Sequence, residues 1–223
     1  MLILAADTSG KNGSLALVRF EAEASRTLEL VSLEGGTFSA QLVPQISALL
    51  TKHTLAKRDI DAFAVASGPG SFTGLRVGLA AIKALAEILQ KPIAAISVLE
   101  AVASAAEREG RVIAALDAGR GEIYCGEYEI QDSRATLIAQ QLWTAAEFVA
   151  NAACRIVVTP DAKVADLARE KNLQFILVYP PRADAIAHLG AEKILAGEIV
   201  SPEALDATYI RRTDAEIKKD VQA

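Results

Sequence analysis

Histidine and cysteine are scarce in this sequence of 223 residues, which contains two of each. Cys125 and Cys154 are too few for a disulfide framework and lack the spacing of metal ligands, so we expect buried thiols in a reducing compartment. His53 and His188 are isolated from other ligand residues, which disfavours a metal centre. No Gly-x-Ser-x-Gly stretch is present, so the nucleophile signature of the α/β-hydrolases is missing as well.

Basic residues are outnumbered. The sequence has 23 lysines and arginines against 28 aspartates and glutamates, a formal net charge of −5. Phosphate contacts dominate affinity for nucleic acids, so we expect no strong binding of nucleic acid by this chain alone. No apolar run approaches the ~20 residues that span a membrane. The first residues reach Asp7 too soon for a signal peptide. These features predict a cytoplasmic protein without membrane contact.

A buried strand, a glycine loop and a long apolar helix follow one another in the middle of the sequence. Residues 60–66 are apolar except for Asp61, 67–70 read Ser-Gly-Pro-Gly, and a helix is predicted from Phe72 to Gln90. The polar residues after its first turn lie on one narrow stripe. A helix on the surface of a monomer needs only one apolar stripe, and this helix offers nearly two.

Gly74 and Gly78 form a flat strip on that helix, although each glycine costs about 1 kcal/mol in a helix interior. Two explanations stay open: close packing against the chain's own sheet, or a second helix from a partner subunit. The earlier segment 35–51 contains no charged residue, and Pro44 predicts that its helix starts near Gln41 or Leu42. We predict an assembly surface formed by Gly74, Leu75, Arg76, Gly78, Leu79, Ala81, Ile82 and Leu85, together with Gln41 and Gln45.

A strand that ends in aspartate occurs twice, at Asp7 and at Asp117. Each is followed by two further strands and then by alternating helices and strands. This pattern predicts an α/β protein with the duplicated actin-like fold of sugar kinases and Hsp70, built from two β-β-β-α-β-α units. We assign 1–100 to the N-terminal unit, 101–200 to the C-terminal unit, and 201–223 to a tail that packs back on the N-terminal unit.

The two acidic turns are the candidate nucleotide-binding sites, with Asp7, Thr8 and Ser9 in the first and Asp117 in the second. Free N–H groups and small side chains in such a turn can cradle a phosphate, and the carboxylate can hold magnesium through water. A plain hairpin turn is the alternative, because Asp, Ser and Gly are the usual turn residues.

The glycine loop fits two phosphate-binding motifs only in part. A P-loop needs Gly-Lys-Ser/Thr at its end, whereas Gly74 is followed by Leu75-Arg76. A dinucleotide fingerprint needs glycine at the position of Thr73 and normally follows the first strand. At least three strands precede the loop here. A dinucleotide-binding enzyme, with Glu100 as the ribose acid, remains a lesser alternative.

Three stretches resemble the TsaB (YeaZ) family: Ala6–Ser9, Ser67–Gly78 and Leu116–Tyr124. The resemblance implies an actin-like fold and a bacterial role in forming threonylcarbamoyladenosine beside the tRNA anticodon. In that pathway TsaB is the non-catalytic partner of its paralogue TsaD. TsaD carries the metal and transfers the threonylcarbamoyl group, and the ATPase TsaE joins the two.

Departures from the family pattern agree with a non-catalytic role. The resemblance implies a His-x-x-x-His metal pair on the first helix of TsaD, and this sequence has none. Many TsaB members begin that helix with His-Ser-Glu, where this chain has Phe38-Ser39-Ala40. The glycine pair that contacts adenosine in the fold is replaced by Val158–Ala162. We therefore expect no cofactor on this chain beyond weak ATP–magnesium binding, with nucleotide and metal on TsaD and TsaE.

The sequence thus predicts a non-catalytic activator of TsaD, without catalytic residues, metal or protease activity. It is expected to form a heterodimer with TsaD, to work with TsaE, to form a homodimer when alone, and to bind tRNA weakly by itself. The alternative is a nucleotide-dependent transferase of the actin-like fold, active in its own right through Asp7 and Asp117.

Overall fold

The computed structural model describes residues 1–22, 24–208 and 210. The chain forms two compact units, and the predicted boundaries differ from those observed. The first unit contains Met1–Ala101 and also Pro180–Ala207, and the second is built on Val102–Tyr179. The last helix therefore belongs to the first unit, because it covers one face of the first sheet. The predicted tail falls largely on residues 209 and 211–223, outside the described residues.

The first unit is built on a five-stranded sheet in the order β3-β2-β1-β4-β5. Strand β1 lies at its centre, antiparallel to β2 and parallel to β4. Strands cover both of its edges and helices pack on the sheet, so its six residues are all buried. The strands are β1 (Leu2–Asp7), β2 (Gly13–Phe20), β3 (Ser25–Leu33), β4 (Ala62–Gly68) and β5 (Ile93–Ser97).

The second unit repeats this arrangement with a sheet in the order β8-β7-β6-β9-β10. Its central strand β6 is antiparallel to β7 and parallel to β9. The same strand order in both sheets confirms the predicted duplication and the actin-like fold. The strands are β6 (Gly110–Gly119), β7 (Glu122–Gln131), β8 (Arg134–Thr144), β9 (Ile156–Thr159) and β10 (Gln174–Leu177).

Helices cover the sheets because the side chains of the central strands are apolar on both faces. In the first unit, α1 and α2 share a core with the Leu2, Leu4 and Ala6 side of β1, and α6 packs on β1, β2, β4 and β5. In the second unit, α4 and α5 share a core with β6, β7 and β9. The helices are α1 (Phe38–Lys52), α2 (Phe72–Leu89), α3 (Val98–Ser104), α4 (Ala145–Ala152), α5 (Ala162–Glu170) and α6 (Ala183–Leu195), and a 3-10 turn spans Lys57–Asp59.

Helix α1 begins about one turn earlier than predicted, at Phe38, so Pro44 lies inside the helix. Phe38 is buried, and its ring lies where a Cβ at Gly13 would come within 2.9 Å of it. Anchoring of this ring in the core extends the helix towards its N-terminus despite the proline. The side chain of Pro44 is exposed.

The segment that follows α6 wraps the β5 edge of the first sheet. The Val200 N–H donates to the Ile93 carbonyl oxygen at 2.9 Å, and Leu205 then joins the core beneath α1 and α2. The segment thereby leads from the end of α6 to the opposite face of the sheet, which α1 and α2 cover. It shields the open edge of β5, which would otherwise offer unpaired backbone groups.

We predict that Leu205→Ala lowers the free energy of unfolding by about 2–4 kcal/mol, because it removes a buried leucine from this core. Leu205 is 5% exposed, whereas Leu195 at the end of α6 is 79% exposed. Leu195→Ala is the matched control and should change the free energy by less than about 0.5 kcal/mol. Urea denaturation followed by circular dichroism measures both. Equal effects of the two substitutions would contradict the packing of this segment.

No helix in the described part of the chain is long and apolar enough to cross a membrane.

Candidate functional site

The first acidic turn is buried and closed on itself. Asp7 ends β1 and keeps only 6% of its surface exposed. Its Oδ1 accepts hydrogen bonds from the Ser9 N–H at 2.8 Å and the Ser9 hydroxyl at 2.6 Å. Burial raises the pKa of Asp7, and the two bonds from Ser9 oppose that rise. No ion pair among the described residues involves Asp7, so no positively charged side chain balances this buried carboxyl group.

We predict that Asp7→Asn stabilises the folded chain at neutral pH. An isosteric amide keeps an acceptor for both Ser9 donors and removes a buried charge. The raised pKa means that protonation of Asp7 favours the folded state. This contribution is complete below the unfolded pKa, near 3.9, and is lost as the pH rises through the folded value.

The gain from Asp7→Asn should therefore exceed about 0.5 kcal/mol at pH 7, outside the usual range of neutral surface changes. It should shrink as the pH falls through the folded pKa and vanish below about pH 3, where the wild-type carboxyl is protonated in both states. Urea denaturation at several pH values measures this. A variant that is less stable at pH 7 would show that the charge is compensated.

Helix α2 lies directly against the first acidic turn. The Thr8 hydroxyl donates to the Gly74 carbonyl oxygen at 2.7 Å, and the Ser71 N–H donates to the Ser9 carbonyl oxygen at 2.6 Å. A Cβ at Gly74 would lie 2.1 Å from the Thr8 carbonyl oxygen, and one at Gly78 would lie 2.3 Å from the Thr8 hydroxyl oxygen. These contacts require glycine at both positions.

This packing corrects the prediction that the glycine strip forms an assembly surface. Gly74 and Gly78 contact Thr8 of their own chain, so the close approach that they permit is internal. The predicted interface positions Leu75, Leu79 and Ile82 are also buried in the core of the first unit.

The second acidic turn carries its own counter-charge. The Asp117 Oδ2 pairs with the Lys163 ammonium group at 3.0 Å, and its Oδ1 accepts from the Gly119 N–H at 2.9 Å. The bond from Lys163, and after it that from Gly119, lowers the pKa of Asp117. The same pair raises the pKa of Lys163. The predicted nucleotide-binding carboxylate is thus already engaged by a lysine.

Asp161 and Lys163 were not predicted as partners of Asp117. Asp161 occupies the N-cap position of α5, but its side chain makes no capping bond. Its Oδ2 instead accepts from the Asp117 N–H at 2.7 Å, and burial raises the pKa of Asp161. The only signal in the sequence was the acid at position 161, which is equally typical of a helix cap.

Helices α1 and α2 contact each other in the first unit, and both expose residues without charge, although α2 also exposes Arg76 and Glu87 beside them. Val43 on α1 is 59% exposed and Ile88 on α2 is 78% exposed. We call this set the uncharged face. It consists of Ser39, Ala40, Val43, Pro44, Ser47 and Ala48 on α1, with Ala80, Ala84 and Ile88 on α2.

The remaining predicted interface residues border the uncharged face. Ala81, Leu85, Gln41 and Gln45 are half-buried, and Arg76 is exposed with its guanidinium group 3.8 Å from the centre of the Phe72 ring. The Gln41 amide also bonds the backbone of Glu34 within the chain, at 3.2 and 3.3 Å.

The other candidate residues have structural partners. His53 bonds Glu29 at 2.8 Å, and the His188 ring meets Phe20 edge-on at 5.1 Å. Glu100, the acid of the dinucleotide alternative, pairs with Lys193 at 2.8 Å. Cys125 is buried as expected, but Cys154 is exposed because it lies in the turn after α4. The described residues contain no cluster of three His, Cys, Asp or Glu side chains that could hold a metal ion.

The chain matches the family model described as "TsaD: tRNA N6-adenosine threonylcarbamoyltransferase" over residues 35–213. It is 28% identical over 235 residues to the tRNA threonylcarbamoyladenosine biosynthesis protein TsaB of Bacillus subtilis, covering 98% of this chain and 97% of that protein. It is 36% identical over 132 residues to TsaB of Escherichia coli, covering 58% of this chain and 55% of that protein. The solved structure of YeaZ from Pseudomonas aeruginosa aligns with a TM-score of 0.74 and 26% identity, covering 93% of this chain and 99% of that chain.

The family model spans most of the sequence, so the chain belongs to the family of TsaD-type domains. Its full-length similarity to TsaB and to the YeaZ structure places it in the TsaB (YeaZ) branch of that family.

Proposed function

We propose that this chain acts in the biosynthesis of threonylcarbamoyladenosine in tRNA, in the cytoplasm, as the non-catalytic partner of a TsaD-type paralogue. The observation that carries the proposal is the uncharged face. Two neighbouring helices expose Val43 and Ile88 together with small residues; the exposed side of α1 from Ser39 to Ala48 carries no charge, whereas on α2 the exposed Glu87 adjoins Ile88. Exposed apolar surface of this kind is typical of protein interaction sites.

A paralogue is the partner that this surface fits best. The family model that matches the chain is that of the transferase itself, so the two proteins share the fold and its first two helices. Two α1–α2 pairs can pack as a four-helix arrangement around an approximate twofold axis. The lone chain can use the same surface to pair with itself, and the homodimer and the heterodimer then compete.

The surroundings of the two acidic turns support a non-catalytic role. Lys163 already neutralises Asp117, and a magnesium ion at that carboxylate would have to displace the ammonium group. Asp7 is nearly buried and is bonded by Ser9. We therefore assign only weak ATP–magnesium binding to this chain, and assign the metal and the tightly bound nucleotide to TsaD and the ATPase TsaE.

A reconstituted modification reaction tests the proposal. We expect no modification by this chain alone, and we expect Asp7→Asn with Asp117→Asn to support the complete reaction within about tenfold of wild type. These carboxylates supply no proton transfer, whose removal typically costs 10²–10⁴-fold. A loss of more than about a thousandfold, with the variant folded and bound to its partner, would instead indicate an enzyme that uses its own acidic turns.

A further inference from the structure

Thr8 is the point at which the first acidic turn and α2 meet. It is 1% exposed, and its hydroxyl donates to the Gly74 carbonyl oxygen at 2.7 Å. One turn further along α2, Gly78 leaves room for the same hydroxyl, since a Cβ there would lie 2.3 Å from it. Two successive turns of the helix therefore rest on one side chain.

The start of α2 is fixed by the neighbouring residue of the same turn. The Ser71 N–H donates to the Ser9 carbonyl oxygen, and the Ser71 hydroxyl caps the helix by accepting from the Gly74 N–H at 3.3 Å. A Cβ at Gly70 would lie 2.4 Å from the Ser9 carbonyl oxygen. The acidic turn thus sets both the start of the helix and its distance from β1.

The uncharged face lies on the same helix, on the side away from Thr8. Ala80, Ala84 and Ile88 are exposed, whereas Gly74 and Gly78 are buried. Backbone hydrogen bonds make a helix of 18 residues a stiff element. A shift of its first two turns against Thr8 therefore displaces the exposed residues that follow.

We infer that Thr8 is the positioning residue for the uncharged face, and that docking on this face is coupled to the order of the Asp7 turn. The inference rests on the proposed function, because it concerns the surface that binds the paralogue. By linkage the coupling is reciprocal: a turn that holds α2 in place strengthens docking, and docking in turn rigidifies the turn.

The test compares Thr8→Ala, Thr8→Ser, Gly78→Ala and the double variant Thr8→Ala/Gly78→Ala. Affinity for the TsaD-type paralogue is measured by isothermal titration. Thr8→Ala and Gly78→Ala should each weaken binding by about tenfold, within the usual range of coupling between sites. Thr8→Ser keeps the hydroxyl group and should bind within about twofold of wild type.

The double variant separates positioning from general damage. Without the Thr8 hydroxyl, the nearest atom to the new Cβ at position 78 is the Thr8 Cβ at 3.5 Å, an ordinary contact. The double variant should therefore bind no worse than Thr8→Ala, within about twofold, rather than showing the sum of both losses. Losses that add, or a Thr8→Ala variant that binds as wild type, would overturn the inference.

Amide hydrogen exchange distinguishes coupling between docking and the Asp7 turn from a purely structural role of Thr8. Docking of the paralogue should slow exchange at the Ser9 and Ser71 amides, although neither lies in the uncharged face, and Thr8→Ala should abolish that slowing. Thr144→Ala removes the capping hydroxyl of α4 in the second unit and serves as the control. It should leave both affinity and exchange at Ser9 unchanged. Unchanged exchange at both amides on docking would overturn the coupling.

Failure of the proposed function gives a different result. If wild type does not bind the paralogue at all, the partner role is wrong, and exchange in the lone chain then decides the role of Thr8. Faster exchange across Leu75–Leu79 in Thr8→Ala, restored in Thr8→Ser, would support positioning of α2. Equal exchange in Thr8→Ala and wild type would refute it.

Discussion

Gly74→Ala is expected to destabilise the chain by more than about 3 kcal/mol, the upper end of the usual cost of overpacking. The new Cβ would lie 2.1 Å from the Thr8 carbonyl oxygen, and it would also come within 3.3 Å of the Phe38 ring. The carbonyl belongs to a backbone held by Asp7 and Ser9, so it cannot yield as the end of a flexible side chain can. Urea denaturation of the purified variant measures the loss.

A control on the same helix is Ala84→Ser, at an exposed position, which should stay within about 0.5 kcal/mol of wild type. Gly78→Arg should also destabilise the chain, for the same steric reason as Gly74→Ala. Position 78 belongs to the predicted assembly surface, but it faces the Thr8 hydroxyl at the buried side of α2. We therefore expect Gly78→Arg to unfold the chain rather than only to block pairing. A stable Gly74→Ala monomer would contradict the observed packing of α2 on Thr8.

The second large effect is expected at the uncharged face. Val43→Glu or Ile88→Glu should weaken pairing with the TsaD-type paralogue, and self-association, by a hundredfold or more. Burial of an unpaired carboxylate in an interface costs several kcal/mol, and each 1.4 kcal/mol is tenfold in affinity. The free chain should stay folded, because both side chains are more than half exposed before pairing.

Leu195→Glu is the matched control, because it places the same charge on an exposed apolar side chain of the first unit that lies outside the uncharged face. It should pair as wild type does. Sedimentation velocity with and without the paralogue measures all three variants, and circular dichroism checks their folding. Normal pairing by both Val43→Glu and Ile88→Glu would place the interface elsewhere.

Much of the fold follows from local sequence patterns. Each unit reads as three strands followed by alternating helices and strands, and the second strand-Asp turn at Asp117 reveals the duplication in the sequence. Helix α2 begins at Phe72 as predicted, because Ser71 is a strong N-cap and a glycine loop precedes it. These features depend on residues that are close together in the chain, so they can be recognised from the sequence alone.

The features that the sequence hid depend on distant residues. The need for glycine at position 74 comes from Thr8, 66 positions earlier, so the glycine strip looked like an external surface. The partner of Asp117 is Lys163, 46 positions later, and an isolated lysine on a helix gives no sign of that pairing. The early start of α1 reflects anchoring of Phe38 in the core, which outweighed the proline signal. The uncharged face itself could be predicted from the lack of charge in 35–51, but its boundaries could not.

The central claim is that one surface of this chain serves its pairing with a TsaD-type paralogue. Sedimentation velocity on an equimolar mixture of the wild-type chain and the paralogue from the same organism tests it most directly. We predict a complex with one copy of each protein, formed at the expense of the homodimer of this chain. Two species that sediment independently, or a paralogue bound to an intact homodimer, would contradict it.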